Sequence, residues 1–344
     1  MENCKNNLKE NLQYYINHFK IFGIEDVKFD FANNSIIINK FNREINFFYE
    51  EQMSIAKIVS IIDIIGEIFG YEEYSWLNVE NREVIDIGGF IGDSAMYFAI
   101  KGARNVYAYE PYPDSFEIAK KNILYNNLEN KIALFNKGVG KEKEHILLDQ
   151  NVEGYSGSEL KKFPKGKDIE IITLDEIADK YNLNDAILKM DCEGCEYDII
   201  LNSKKDTLRR FSQIMIEYHH SFENLKSILE SSGFVVNYTL PKTIINQIIN
   251  QEYKIGLIFA TKITDLSSAD DFIKIFNSHC NYFINKYINV DEKINSLTQK
   301  IDVLQEAHSL KDEKINELTQ KIDELNRKWY VKFLNLIKRN KDSK

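Results

Sequence analysis

From Glu83 to about residue 262, short apolar or β-branched runs alternate with amphipathic stretches of helix length, the pattern of a parallel sheet covered by helices. The runs predict strands over 83–87, 105–109, 131–136, 186–190, 212–218, 233–239 and 253–260, with helices over 93–101, 114–126, 174–182, 195–203 and 221–232. Thr173 followed by Glu176 is a capping-box pair, in which a hydroxyl and a carboxylate satisfy free amides at a helix start. Upstream, Val27–Phe31, Ser35–Ile38 and Glu44–Tyr49 flank turn residues and read as a small meander around Asn33-Asn34. The apolar stretch Ile55–Phe69 is broken by Lys57, Asp63 and Glu67 at helical spacing, so it predicts an amphipathic helix facing a core.

The last segment follows another period. Ile294, Leu297, Ile301 and Leu304, then Ile315, Leu318, Ile322 and Leu325, occupy a and d positions of one heptad frame, interrupted by His308 and Lys311. DEKINSLTQKIDVL recurs three heptads later as DEKINELTQKIDEL, an internal repeat. Ile at a with Leu at d favours a parallel two-stranded coil, hence a homodimer, with a trimer, intramolecular docking or a single solvated helix as alternatives. Beyond it, residues 329–344 mix aromatic and aliphatic side chains with a basic end. That tail either continues the heptads through Trp329 and Leu336 or lies on a membrane surface.

Composition narrows the possibilities. With 44% hydrophobic and 12% aromatic residues, the chain has the material for a sizeable core and is not a disordered one. A formal charge of -9, and the lack of a basic, aromatic-rich stripe in the central segment, argue against general affinity for nucleic acid. No run reaches the length of a spanning helix and the N-terminus lacks the apolar core of a signal peptide, so a cytoplasmic location is expected. The four cysteines, Cys4, Cys192, Cys195 and Cys280, do not form a disulfide framework and fit a reducing compartment. Cys192-x-x-Cys195 has neither a second pair nor an adjacent histidine, which weighs against zinc or disulfide chemistry there.

The candidate chemistry sits at three strand ends. Val84-Ile85-Asp86-Ile87-Gly88-Gly89-Phe90-Ile91-Gly92-Asp93 runs from an apolar strand through a glycine-rich turn into a helix, the form of a nucleotide-cofactor loop. Gly88, Gly89 and Gly92 let the backbone turn sharply and a ligand approach closely. A dinucleotide fingerprint would need a glycine where Ile87 stands, which disfavours a nicotinamide dehydrogenase. The next strand ends in Glu110, placed to accept both hydroxyls of a ribose. The third, Leu188-Lys189-Met190-Asp191-Cys192-Glu193-Gly194-Cys195-Glu196, ends in acids with a glycine.

Taken together, VIDIGGFIGD, YAYEPYP, the TLDEI helix start and LKMDCEGCEYDII resemble the FkbM family of methyltransferases over roughly residues 84–240. The resemblance implies an α/β, Rossmann-like methyltransferase fold with a mostly parallel seven-stranded sheet and helices on both faces. It implies S-adenosylmethionine as cofactor and, most often, O-methylation of a hydroxyl on a sugar or related metabolite. By motif position Asp86 and Gly88 would lie at the methionine end of the cofactor, Glu110 at the ribose and Asp191 beside the transferred methyl; Gly89, Gly92 and Glu193 count among the cofactor-binding residues, and Glu193 and Glu196 match the family's paired acids. In the family a small or aliphatic residue usually stands at the positions of Cys192 and Cys195.

A hydroxyl acceptor must lose a proton. Asp191 is the first candidate base and His219 or His220 the second; because neighbouring strand residues point to opposite faces, at most one of the two histidines should face the site. No metal is assigned, although Asp191, Glu193, Glu217 and a histidine form a minority alternative for a divalent ion. Gly154–Ser158 is a candidate acceptor-side loop.

The organisation expected is therefore an N-terminal α+β extension over 1–80, the methyltransferase domain over 81–262, a helical connector over 263–290, a coiled coil over 291–328 and a basic amphipathic tail over 329–344. The expected partners are a sugar or small-molecule hydroxyl acceptor, a second copy of the chain through 291–328, and a peripheral contact of 329–344 with the inner membrane surface. The alternative reading is a non-catalytic adaptor whose coiled coil is the working part.

Overall fold

The computed structural model describes residues 4–51, 53–148, 165–239, 241–246 and 251–262. The expected coiled coil, connector and tail, and the loop at Gly154–Ser158, lie outside the described residues.

The chain starts with two short helices, α1 (Cys4–Glu10) and α2 (Leu12–Ile21), and an antiparallel meander of β1 (Val27–Asp30), β2 (Ser35–Lys40) and β3 (Arg43–Phe48). Asn34 takes a left-handed φ of 52° at the β1–β2 turn, which the Asp30 carboxylate ties by accepting from the Ala32 and Asn33 amides. Helix α3 (Ile55–Ile65) is capped by the Ser54 hydroxyl, which accepts from the Lys57 amide, and runs on into a π-helical turn at Gly66–Gly70. Ile58, Ile61, Ile62 and Ile65 are its buried stripe. Lys57, expected on the polar face, is instead buried and paired with Asp114, because α3 is covered on more than one side.

After it the strand–helix alternation sets in: β4 (Glu83–Ile87), α4 (Asp93–Ile100), β5 (Asn105–Tyr109), α5 (Pro113–Tyr125) and β6 (Ile132–Phe135). A side sheet follows, made of β7 (Gly138–Gly140), β8 (Glu144–Leu148) and β9 (Lys167–Thr173). Then come α6 (Leu174–Lys180), β10 (Ala186–Met190), α7 (Cys195–Asn202), α8 (Lys205–Leu208), β11 (Phe211–Tyr218), α9 (Glu223–Ser231), β12 (Phe234–Tyr238), β13 (Lys242–Asn246) and β14 (Gln251–Lys262). The capping box forms at α6, where Thr173 Oγ1 accepts from the Glu176 amide at 3.1 Å and Glu176 accepts in return from the Thr173 amide at 3.0 Å.

The main sheet has the order β12-β14-β11-β10-β4-β5-β6, and β13 pairs with the outer half of β14. β4, β5, β6, β10 and β11 run parallel, while β14 is inserted antiparallel between β11 and β12. This is the mostly parallel Rossmann-like α/β sheet, with its strand order reversing between β4 and β10. One face packs against α6, α7 and α9 through Ile85, Leu188, Ile214, Ile177, Ile199 and Leu229. The other is covered by α4, whose Ala95, Met96 and Phe98 are buried.

The side sheet was not predicted as such. β8 and β9 alternate, burying Ile146, Leu148, Ile169 and Ile171 with Tyr112 in a small separate core. Glycines at both ends of the three-residue β7, and Lys167, Asp168 and Glu170 interspersed in β9, hide the period in sequence.

The N-terminal meander is tied to the main domain by side chains of α5. Asn126 Nδ2 donates to the Asn46 carbonyl at 2.8 Å and its Oδ1 accepts from the Asn46 amide at 2.9 Å. Asn122 Oδ1 accepts from the Phe48 amide at 2.7 Å while its Nδ2 donates to the Ile91 carbonyl in the glycine loop at 2.8 Å. All of these atoms sit in low-dielectric surroundings, where each missing partner would be costly.

Candidate active site

An open cleft lies at the C-terminal ends of β4, β5 and β10, at the point where the strand order reverses. Its walls include Gly88, Phe90, Asp93, Glu110, Lys189, Asp191, Glu193 and the side-sheet residues Gly138 and Val139.

On the β4–β5 side the backbone builds the site. The amides of Gly88 and Gly89 both donate to the Tyr109 carbonyl at 3.1 Å, closing the loop onto the end of β5. Gly88 has φ +81°, and a Cβ there would stand 1.8 Å from the Asp191 carbonyl oxygen. Only glycine permits β4 and β10 to end so close together. Gly89 and Gly92 shape the turn without lining the cleft; Gly92 is the left-handed residue from which α4 starts. Glu110 is 4% exposed, and its two carboxylate oxygens accept from the Phe90 and Tyr112 amides, each at 2.8 Å. Burial pushes its carboxyl up to about 8 against the pull of these two amides. Asp93 also reaches the cleft; burial pushes its carboxyl up to about 7, and its buried Oδ1 has no hydrogen-bond partner.

Asp86 corrects an expectation. Its side chain does not line the cleft: it lies beneath the loop, fully buried, accepting from the Ser94 hydroxyl at 2.6 Å and pairing with Lys189 at 3.1 Å. Register explains this, since Lys189 of β10 stands directly beside Asp86 of β4, on the same face of the sheet. The Lys189 ammonium also donates to the Gly88 carbonyl at 2.7 Å. Burial opposes its charge, but Asp86, Asp191 and Asp93 hold it firmly protonated. Lys189 was missed in sequence; the available signal was a lysine in the middle of an otherwise apolar strand, where an unpaired charge is not tolerated.

On the β10–β11 side, side chains build the site. The Asp191 amide donates to the Ile87 carbonyl at 3.1 Å, and the chain then turns through two left-handed residues, Glu193 (φ 57°) and Gly194 (φ 111°). That turn brings Cys192 and Cys195 within 5.5 Å, Cα to Cα, and they are joined by a disulfide, against the expectation that this pair is not bonded. The left-handed turn juxtaposes the pair locally, which cysteine number and spacing do not reveal. Glu196, fully buried, gathers the loop: Oε2 accepts from the Gly194 amide at 2.8 Å, and Oε1 faces the His219 amide at 3.1 Å and its Nδ1 at 2.9 Å. The His219 Nε2 lies 2.9 Å from Glu193 and 3.6 Å from Glu217. Asp191, Glu217 and His219 each offer a ligand atom within 4.8 Å of one another.

Of the two histidines, His219 points inward and is buried, whereas His220 is exposed against the Tyr197 ring and is not brought to the cleft. Burial disfavours the charged form of His219, but its hydrogen bonds to Glu193 and Glu196 outweigh that and push it up to about 11. An imidazolium held in this way has no lone pair with which to act as a base near neutrality, and it supplies the positive charge the surrounding acids require. Asp191 is different: burial raises it, Lys189 and His219 lower it and Glu193 raises it, leaving it at about 6. Of the predicted residues, then, Gly88, Glu110, Asp191 and Glu193 are brought together in one cleft, with His219 behind them.

Residues 86–236 match the family described as the methyltransferase FkbM domain. Over that span, less than half of the chain, it resembles an FkbM methyltransferase domain. A curated relative, uncharacterized protein 158B of Sulfolobus islandicus rod-shaped virus 1, is 25% identical over 156 residues, 45% of this chain and 72% of that protein. Among solved structures, M. jannaschii TYW2 in complex with AdoMet is 14% identical, covering 67% of this chain and 88% of its own, with a TM-score of 0.36. An uncharacterized protein from Listeria monocytogenes is 16% identical, covering 73% and 94%, with a TM-score of 0.34. Among the described residues, no helix is long and apolar enough to cross a membrane.

Proposed function

We propose that this chain is an S-adenosylmethionine-dependent O-methyltransferase acting on a hydroxyl of a sugar or related metabolite, with Asp191 as general base. The observation that carries the reading is the pairing, in one cleft, of a buried carboxylate braced by two backbone amides, Glu110, with an acid near neutrality, Asp191. The residues present fit the cofactor: Gly88 lets the ends of β4 and β10 meet at the floor of the cleft, Glu110 keeps lone pairs free for a ribose diol, and Asp93 Oδ1 is a buried acceptor awaiting a donor. Bound S-adenosylmethionine would supply an electrophilic methyl carbon.

The protein's part is alignment and proton management. Asp191, with an acidity near 6, is ionised at neutral pH and can take the acceptor's hydroxyl proton. Glu193 and Glu217 stay fixed by the His219 imidazolium, and Lys189 holds both the Gly88 carbonyl and the charge balance beneath the loop. The FkbM family match supports methyl transfer; the oxygen acceptor rests on the acid–base pair alone. Self-association through 291–328 remains part of the proposal, to be measured by sedimentation.

The test is calorimetric titration with S-adenosylmethionine and its demethylated product, with Glu110→Gln as control, followed by radiolabelled methyl transfer to a panel of sugars and hydroxylated metabolites. Micromolar binding that Glu110→Gln weakens, with label in an ether linkage, supports the assignment; absence of binding by folded protein at millimolar ligand overturns it.

A further inference from the structure

The methyl-transfer reading leaves the Cys192–Cys195 bond unused. Both cysteines are half-buried; they pack on one side against the main core and on the other line the cleft next to Asp191 and Glu193. Their ring closes over the two left-handed residues Glu193 and Gly194, the turn that carries the Glu193 carboxylate to His219.

Two thiols need more room than the bonded pair, so opening the ring requires at least one side chain to move. The core side is the buried cluster that includes Met190 and Ile199, and a close-packed interior resists taking in a displaced sulfur. The open side is the cleft, so the displaced thiol moves there, and the turn loses the covalent brace that holds it in left-handed conformations.

We propose that Cys192 and Cys195 form a reversible dithiol–disulfide site that exchanges with low-molecular-weight disulfides and dithiols, and that the state of this ring sets the shape of the cleft wall beside Asp191. In the closing direction the thiolate of one cysteine attacks a sulfur of the external disulfide and expels one thiolate. The second cysteine then attacks the resulting mixed disulfide at the protein's sulfur and expels the other. Two protons leave the cysteines, and two electrons pass from the pair to the external disulfide, which becomes two thiols. Any effect on cofactor binding rests on the methyltransferase reading; the exchange itself does not.

The experiment uses the full-length chain with Cys4→Ser and Cys280→Ser, so that only this pair reports, equilibrated in mixtures of reduced and oxidised glutathione. Free thiols counted by alkylation and mass spectrometry should pass from two to none and back as the mixture is varied, without intermolecular cross-links. Amide hydrogen exchange over residues 190–200 should be faster in the dithiol form. Affinity for S-adenosylmethionine should differ about fivefold or more between the two forms, and the difference should vanish in Cys192→Ala/Cys195→Ala. A pair that stays bonded in excess dithiothreitol, or stays reduced in oxidised glutathione, overturns the proposal, as do identical exchange rates in the two forms. If neither form binds S-adenosylmethionine while thiols and amides respond as expected, the methyltransferase reading fails and the redox site stands.

Discussion

The two sides of the cleft are built on different principles. Around β4 and β5, main-chain amides do the positioning: Gly88 and Gly89 clip onto the Tyr109 carbonyl, and Glu110 is braced by Phe90 and Tyr112. Around β10 and β11, side-chain charges do it, with Glu193, Glu196 and Glu217 grouped about one imidazolium. The amide dipoles are fixed and do not titrate, although the Glu110 carboxyl that they brace does. A charge cluster can be tuned, redirected or disrupted by one proton or one substitution. The first arrangement would hold the proposed cofactor, and the second would handle the proposed acceptor's proton.

The largest effect should come where the two sides meet. Lys189→Met removes the cation beneath both and leaves Asp86 buried without its partner, so unfolding free energy from urea titration should fall by about 3–5 kcal/mol. On the charge-built side, Asp191→Asn should lower the methyl-transfer rate by roughly 10²- to 10⁴-fold with little change in cofactor affinity. In the parent protein that rate should rise with pH through about 6, because the ionised form of Asp191 is the active one, and then level off; a flat profile through this range would move the base elsewhere.

On the amide-built side, Glu110→Gln should weaken S-adenosylmethionine by about 10- to 100-fold, as expected for hydrogen bonds to a charged group. In the free protein Glu110 is largely protonated at pH 7, since burial holds it at about 8. The carboxylate is the form that accepts a ribose diol, so binding should release a proton near neutrality and tighten as pH rises towards 8. Calorimetry in buffers of different ionisation enthalpy measures that release, and Glu110→Gln should abolish it. The smallest effect lies farthest from the cleft: Asn126→Ala strands the Asn46 amide and carbonyl and should cost about 1–3 kcal/mol of stability.

The same contrast decided what the sequence could reveal. The amide-built side is local, with the loop residues and Glu110 lying within one strand–helix–strand unit, so glycine spacing and a strand-end acid sufficed to find them. The sheet strands were equally legible because parallel strands buried on both faces read as continuous apolar runs. The charge-built side is assembled across distance. Glu196 meets His219 some 23 residues away, and the protonation of that histidine follows from partners that no local pattern names. Lys189 looked like an interruption of a strand until register put it beside Asp86. Asp86 itself, by type and position a cofactor residue, proved to be committed to Ser94 and Lys189.

Asn122 and Asn126 of α5 carry a practical corollary. The family match begins at residue 86, yet the helix that supports its glycine loop completes its hydrogen bonds with the backbone of Asn46 and Phe48. A shortened chain starting at the family boundary would leave these amides facing a void or water. Transplanting the catalytic segment into another scaffold would require bringing the meander with it, or repainting two asparagines as apolar residues. The structural unit of this domain is longer at its N-terminal end than the stretch by which its kinship is recognised.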